Sequence, residues 1–566
     1  MNLSDHTPTQ LSPKVSSHID TTFKLDEPLN AAQCSVNFDA YIAQSQVSAL
    51  SLSELFPDTV SIISHYLALP APLLLINSRY WESAVEILKQ TVPSDSSAKY
   101  LLSYNREQLF GRISLKESTE LDFTSGHLAQ SDTSILVLNI SPLLVEPGLW
   151  FMLKSVLQRG YLQASDAVNA EKIKQQLPNL STQSIRPKVI LVASRLQLEE
   201  LIQIDPEYTQ VSSLFCELPS QVPVNTTSIN AITTYCQKIT GELDIESLDD
   251  QALSTLFVYL TTQCQHQQQI LFSPQLIKEL LQYALLFSEG KQIKVADLVA
   301  CFKEKESAQS LPRRYSEQSI IEGQVNLQLS GDKTGQINGL SVVELLGYPC
   351  EFGEVFRISA SDMIGDGEII DVERKVELAG NIHAKSTLIV QGYINHFFSH
   401  INAFPYSCNL VFEQSYQESD GDSASLAILL AVCSCYSKLP IKQNVFVTGS
   451  LDQHGNVLAI GGINQKIESV TRLFELELIS EPVLIVMPAA NKINLTLNTS
   501  TLALVDAGKI LIYPIVHCHQ AFPILLESSF EQTIKVINDR IEKTVKDEIN
   551  ELSNGFFSRL IHSIFH

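Results

Sequence analysis

No glycine occurs before Gly111, and only six of the chain's 23 glycines lie before residue 320. Glycine lets backbone turn with positive φ or pass close to a ligand. Its scarcity excludes a glycine-rich phosphate loop from the first hundred residues and concentrates tight turns in the second half. Basic residues are also in deficit: 39 Lys and Arg stand against 62 Asp and Glu, a net charge of -23. Such a surface repels phosphate backbones, so nucleic acid is not expected as a partner. No apolar run approaches the ~20 residues that span a bilayer. The longest, around Leu67–Ile76 and Leu426–Cys433, read as buried strand or helix. The first 20 residues are polar and lack the apolar centre of a secretory signal. The ten cysteines include no CxxC pair, which argues against a disulfide framework and points to a reduced, cytoplasmic protein. The His517-Cys518-His519 triplet could bind metal. On a strand, however, His517 and His519 would share one face and Cys518 the other, so no metal site is expected.

What is present divides the 566 residues into parts. Residues 1–30 read as a polar tail. Residues 31–225 carry apolar runs that read as strands at Pro70–Ile76, Ser134–Leu138 and Val189–Ala193, with a helix from about Glu82 to Val92. Alternation of this kind predicts an α/β layer. Over residues 226–318 the apolar spacing turns helical, at Leu253, Leu256 and Leu260 and again at Leu276, Leu280, Leu281 and Leu285. That spacing predicts an all-helical subdomain to about residue 310, with a linker at 307–319. Residues 319–530 return to α/β. Strands are expected at Gly335–Val343, Phe356–Ala360, Asn409–Phe412, Val445–Thr448 and Pro482–Met487, and helices near Ser386–Phe397, Ala424–Tyr436 and Ile463–Phe474. Residues 531–566 read as a charged helix with Phe556, Phe557, Leu560, Ile561, Ile564 and Phe565 on one face. Docking on the protein body is the first expectation for that face, and peripheral contact with a membrane surface is the alternative.

The chemistry concentrates in two stretches. In Glu418-Ser-Asp420-Gly421-Asp422-Ser423-Ala-Ser, a turn delivers Ser423 into an apolar helix. A hydroxyl there sits at the positive helix end, where unpaired N–H groups could hold an oxyanion. Taken alone, the stretch also suits an ordinary helix cap. In Gly461-Gly462-Ile-Asn-Gln-Lys466, a lysine lies one turn into a helix, where a solvated charge is the plainer reading.

Together these stretches resemble the Lon-type peptidases, over Gly335 to about Phe522. The resemblance runs in order through Gly335-Gln-Ile-Asn-Gly339, Asp371-Val-Glu-Arg-Lys375, Gly380-Asn-Ile-His-Ala-Lys385, Phe412-Glu-Gln-Ser415, the Ser423 segment, Thr448-Gly and Gly461-Gly462-x-x-x-Lys466. Ser423 and Lys466 stand 43 residues apart, as the family pattern implies, and the Gly-Asp-Ser-Ala-Ser form is that of the LonB-like branch. The resemblance implies a serine endopeptidase with Ser423 as nucleophile and Lys466 as general base and acid. It places Thr448 beside the lysine. Asp420 and Asp422 flank the nucleophile, where charged carboxylates would raise the lysine pKa, so they are expected to point elsewhere or to cap the helix. His383 and Lys385 are alternative bases, read as structural.

Lon-like proteins usually join this domain to an AAA+ ATPase, and residues 31–310 match that module in element order. Its nucleotide chemistry is missing. Asn77-Ser-Arg-Tyr-Trp follows the first strand where a P-loop would stand, Asn139-Ile140 replaces the acidic pair, and Ser194-Arg195 replaces the sensor asparagine. The expected fold is therefore multidomain α/β: a degenerate AAA+ layer with a helical lid, then an α/β Lon proteolytic domain. No cofactor or metal is expected to be required, and ATP–Mg is not expected to bind. The expected activity is ATP-independent cleavage of unfolded or flexible polypeptide by a ring, of six subunits by family analogy. Two alternatives are a conventional ATP-dependent Lon protease with a divergent nucleotide site and a catalytically silent assembly or adaptor protein.

Overall fold

The first-half strands are apolar without alternation, as strands covered on both faces must be. The computed structural model describes residues 27–45, 50–93, 96–115, 121–130, 133–162, 183–185, 187–211, 214–372, 381–399, 404–414 and 421–564. These fall into two compact units. One spans Val36–Ala308; the other begins at Gln309 and takes in the N-terminal segment that ends at Ser35.

In the Val36–Ala308 unit, strands β1 (Leu73–Ser78), β2 (Ala98–Leu101), β3 (Ile135–Asn139), β4 (Lys188–Ala193) and β5 (Leu214–Leu218) make one sheet in the order β2-β3-β4-β1-β5. Every pairing in it is parallel. The two-residue period sends alternate side chains into separate cores. Leu74, Ile76, Val137, Ile190 and Val192 join one, while Leu73, Leu75, Leu136, Leu138 and Leu191 join the other. Helix α1 (Pro57–Ala68) and helix α2 (Trp81–Thr91) cover the first face, and α3 (Pro147–Arg159) and α4 (Arg195–Ile204) cover the second. Four helices follow, α5 (Thr226–Glu242), α6 (Asp250–Cys264), α7 (Pro274–Ala284) and α8 (Val295–Ala308). The helical part is not purely helical: Gln221–Pro223 pairs with Gln269–Leu271 and Ser247–Leu248 with Gln292–Ile293.

Two segments differ from the sequence reading. The linker expected at 307–319 forms helix α9, Leu311–Ile321, with Pro312 near its start, where a missing N–H costs nothing. Residues 31–35, expected to open the first α/β layer, pack into the other unit. There Leu29 N–H donates to Ile512 O (2.9 Å), Leu497 N–H donates to Cys34 O (3.1 Å), and Leu29, Ala31 and Cys34 are buried.

The second unit has strands β6 (Gln336–Val343), β7 (Phe352–Ile364), β8 (Ile369–Asp371), β9 (Tyr406–Glu413), β10 (Val445–Val447), β11 (Ser450–Leu451), β12 (Val457–Leu458), β13 (Val483–Pro488) and β14 (Ile510–Ile515). Seven of them form a mixed sheet in the order β8-β9-β7-β6-β10-β13-β14, and β11 and β12 form a separate hairpin. Helices α10 (Asn381–Phe397) and α11 (Ser425–Ser437) lie on one face, and α12 (Ile463–Glu475) and α13 (Thr499–Asp506) on the other. All thirteen residues of α11 are buried, which explains an apolar run with no polar face. The chain ends in helix α14 (Phe530–Ile564); the apolar residues from Phe556 to Phe565 lie outside the described side chains. All ten cysteines are free thiols. Among the described residues, no helix is long and apolar enough to cross a membrane.

Candidate active site

Helices α11 and α12 lie on opposite faces of the second sheet, and their N-terminal ends converge beyond the carboxyl end of β10. Ser423 sits in the turn before α11, and that turn is bonded to the strand segment beside it. Gly449 N–H donates to Ser423 O (2.8 Å), and Leu426 N–H donates to Gly449 O (3.1 Å). The Ser425 hydroxyl donates to Asp422 O (2.8 Å) and accepts from Leu451 N–H (2.8 Å). With its backbone tied on both sides, the turn presents the Ser423 hydroxyl in one place.

Lys466 approaches from the other face. Its Nζ lies 2.9 Å from Ser423 Oγ and 3.3 Å from Thr448 Oγ1, and only 3% of the residue is exposed. Burial pushes the lysine pKa down from 10.5 to about 8, while the Asp422 carboxylate pulls the other way. Thr448 is fully buried, and its hydroxyl donates to Ser423 O (3.4 Å), joining the two partners. Asp422 turns toward Ser450, whose hydroxyl donates to Asp422 Oδ2 (2.8 Å). The described bond of its carboxylate is thus to Ser450 and not to the lysine, which it reaches only through charge. Asp420 and the His383 side chain lie outside the described residues, and Lys385 is exposed on α10.

Four residues that sequence reasoning did not single out hold α12 in place. Asn491 clamps Ile460 on both sides, accepting from its N–H (3.0 Å) and donating to its C=O (2.9 Å). Asn464 donates to Asn494 O (2.8 Å) and accepts from Thr496 N–H (2.8 Å). Ser469 donates to Lys466 O (2.6 Å). At Gly353 of β7, a Cβ would stand 1.9 Å from Gln465 O, so the strand backbone touches the turn of α12 that carries Lys466. Helix α12 itself begins from Gly462 at φ +63, where a Cβ would strike Val342 at 2.4 Å. A glycine of this kind can be suspected from sequence, but its contact across the fold cannot. Gly353→Ala is expected to push α12 off β7 and lower kcat by about 10- to 100-fold, at a cost of roughly 1–3 kcal/mol in stability. Steady-state kinetics with thermal unfolding checks this; wild-type kcat would contradict it.

The expected oxyanion donors narrow. Ser425 N–H is taken by Asp422 O (3.0 Å) and Leu426 N–H by Gly449 O. Among the described residues, the N–H groups of Ser423 and Ala424 have no acceptor. The His517-Cys518-His519 triplet is not a strand. His517 caps a single 3-10 turn, and the three side-chain donor atoms lie within 4.8 Å of one another. Internal partners occupy them: His517 Nε2 faces His454 O (3.0 Å), His519 Nε2 faces Tyr393 OH (2.9 Å), and Cys518 Sγ faces the same phenol (3.3 Å). Burial lowers the His519 pKa to about 4 and raises that of Cys518 to about 12. These are the properties of a packed polar cluster.

In the first unit, only Arg79 and Tyr80 connect β1 to α2. Asn139 Oδ1 accepts from Ser141 N–H (2.8 Å), and Asn139 O accepts from the Tyr104 hydroxyl (2.7 Å). Ser194 and Gln197 form a reciprocal cap on α4, and Arg195 pairs with Glu199 (3.2 Å).

Comparison with known proteins agrees with this architecture. Residues 101–217 match the LonB-like AAA domain, and residues 323–497 match the Lon protease (S16) C-terminal proteolytic domain. A Lon protease homologue of Haemophilus influenzae is 33% identical over 440 residues, covering 77% of this chain and 72% of that one. One from Escherichia coli K12 is 29% identical over 450 residues, covering 78% and 76%. The archaeal Lon protease of Thermococcus kodakarensis is 31% identical over 207 residues, covering 36% and 30%. The chain belongs to the Lon protease family, with a LonB-like AAA domain followed by a Lon-type proteolytic domain.

Proposed function

We propose that the protein is an endopeptidase that cuts unfolded or flexible polypeptide through a Ser423–Lys466 dyad, without using ATP. The observation that carries the reading is a buried amine 2.9 Å from a serine hydroxyl. With its pKa lowered to about 8, Lys466 is neutral in roughly a tenth of molecules at pH 7. The neutral amine takes the Ser423 proton as Oγ attacks the peptide carbonyl. The N–H groups of Ser423 and Ala424, which have no acceptor among the described residues, are the candidate donors for the oxyanion. Lys466 then gives its proton to the departing amine, leaving an acyl-enzyme. A water that loses a proton to Lys466 hydrolyses the ester and restores both side chains. Thr448 holds Nζ in line through each step.

ATP independence rests on the first unit. Wrapping phosphates needs a loop of several consecutive N–H groups between strand and helix. The connection after β1 has two residues, Asn139 at the acidic-pair position is engaged by Ser141 N–H, and a helix cap occupies the sensor position. On this reading the AAA domain is a scaffold that assembles a ring, six-membered by family analogy, and presents substrates in the cytoplasm. The test is casein cleavage by the purified full-length chain with and without ATP–Mg. Equal rates within about twofold are expected, together with no ATP binding in a calorimetric titration at micromolar concentrations. Cleavage that requires ATP would identify a conventional Lon protease and sink the proposal.

A further inference from the structure

Helix α9 bonds to both elements that hold Lys466 in place. Ser316 donates to Glu354 of β7 (2.5 Å), the neighbour of Gly353. Glu317 Oε1 accepts from Arg472 Nη1 of α12 (3.5 Å) and pairs with Arg313 Nε of its own helix (3.3 Å). These three charged side chains are only 17–21% exposed, so solvent screens them less than it would a surface pair. No residue of α9 is fully buried. Its polar contacts to Glu354 and Arg472 therefore contribute to its docking alongside partly buried Ile320, which faces Phe352, Val355 and Leu473. Beneath the helix, Arg313, Glu317, Ile320, Gly353, Ser469 and Arg472 line a small cavity. Ser469 is the residue whose hydroxyl fixes Lys466 O.

We propose that Glu317 and Arg472 are positioning residues: docked α9 holds α12 in the register that brings Lys466 to Ser423, and release of α9 separates the dyad. The inference rests on the Ser–Lys reading of the site. Neither residue touches the reacting atoms, and both act through α12. Along the chain, α9 starts two residues beyond Gln309, directly after the end of the AAA-like unit at Ala308. Tension carried along the backbone through the Ala308–Gln309 crossing would reach this clamp first.

The experiment compares Glu317→Arg, Arg472→Glu and the double exchange in the full-length chain, using a fluorogenic peptide. Each single variant is expected to lower kcat by about 10- to 100-fold with KM changed by less than about twofold. The double exchange is expected to recover kcat to within about threefold of wild type. Single variants with wild-type kcat overturn the proposal, as does a double variant that melts like wild type but stays slow. If the reversed charges prevent folding, Glu317→Gln keeps the shape; an unchanged kcat and pH profile in that variant overturns it equally. Failure of the wild-type chain to cleave would strike the Ser–Lys reading itself, whereas a cleaving wild type with an equally active Glu317→Arg strikes only the positioning role.

Discussion

Ser423→Ala is expected to lower peptide cleavage by at least ~1,000-fold while leaving the fold and substrate binding intact. Among the described residues, the side chain is the only nucleophile within reach of Lys466: Thr448, the other hydroxyl near Nζ, is fully buried and already donates to Ser423 O. The turn that carries residue 423 is held by its neighbours' groups, through Gly449, Leu426, Ser425 and Leu451. Removing one hydroxyl leaves all of those bonds in place. Thermal midpoint and casein binding should therefore match wild type within error, while the product yield falls to background. A variant that keeps more than about a tenth of the wild-type rate would place the nucleophile elsewhere.

Lys466→Met is expected to abolish cleavage to a similar degree and, at the same time, to stabilise the protein below pH 8. Holding a protonated lysine in a site that lowers its pKa from 10.5 to about 8 costs the native state about 3 kcal/mol. The sign follows from proton counting. Below pH 8 the lysine is charged in both native and unfolded chains, and the native state bears the full cost. Between pH 8 and 10.5 the native lysine loses its proton first, so wild-type stability rises with pH and the advantage of methionine fades. Chemical denaturation of both proteins at pH 7 and pH 10 measures this. A variant no more stable than wild type at pH 7 would contradict it. The same ionisation governs the rate: wild-type kcat should climb through about pH 8 and level off above it. Lys466→Arg should be inactive throughout, because a guanidinium stays protonated.

Eight strands of the two sheets are legible because each is a short apolar run buried on one or both faces, and their ends moved by only a few residues, whereas Leu214–Leu218, Ile369–Asp371 and Ile510–Ile515 escape the sequence reading. Short strands such as Ala98–Leu101, which is only partly buried, carry too little apolar signal to be read. Helix Leu311–Ile321 reads as a linker in the sequence for a related reason. It has no buried residue, so no apolar periodicity marks it, and its Pro312 and Arg313 look like loop residues. The segment Leu29–Ser35 was assigned by its position in the chain, whereas β14 and the residues near Leu497 determine where it packs.

For the site, the resemblance carried by the order of motifs from Gly335 to Lys466 is what singles out Ser423, Lys466 and Thr448 as candidates. In the first half, Asn77-Ser-Arg-Tyr-Trp, Asn139-Ile140 and Ser194-Arg195 carry only the expectation that nucleotide chemistry is missing. What only tertiary structure decided is how an ordinary-looking lysine becomes a candidate base. Two helices on opposite faces of a sheet meet at one strand end, and burial there lowers the amine's pKa. The residues that hold this arrangement, among them Asn491, Asn464, Gly353 and Glu317, are distant in sequence and act by backbone clamps, close approach and paired charge. Spacing along a chain records residue type and periodicity, but contacts of that kind exist only once the chain has folded.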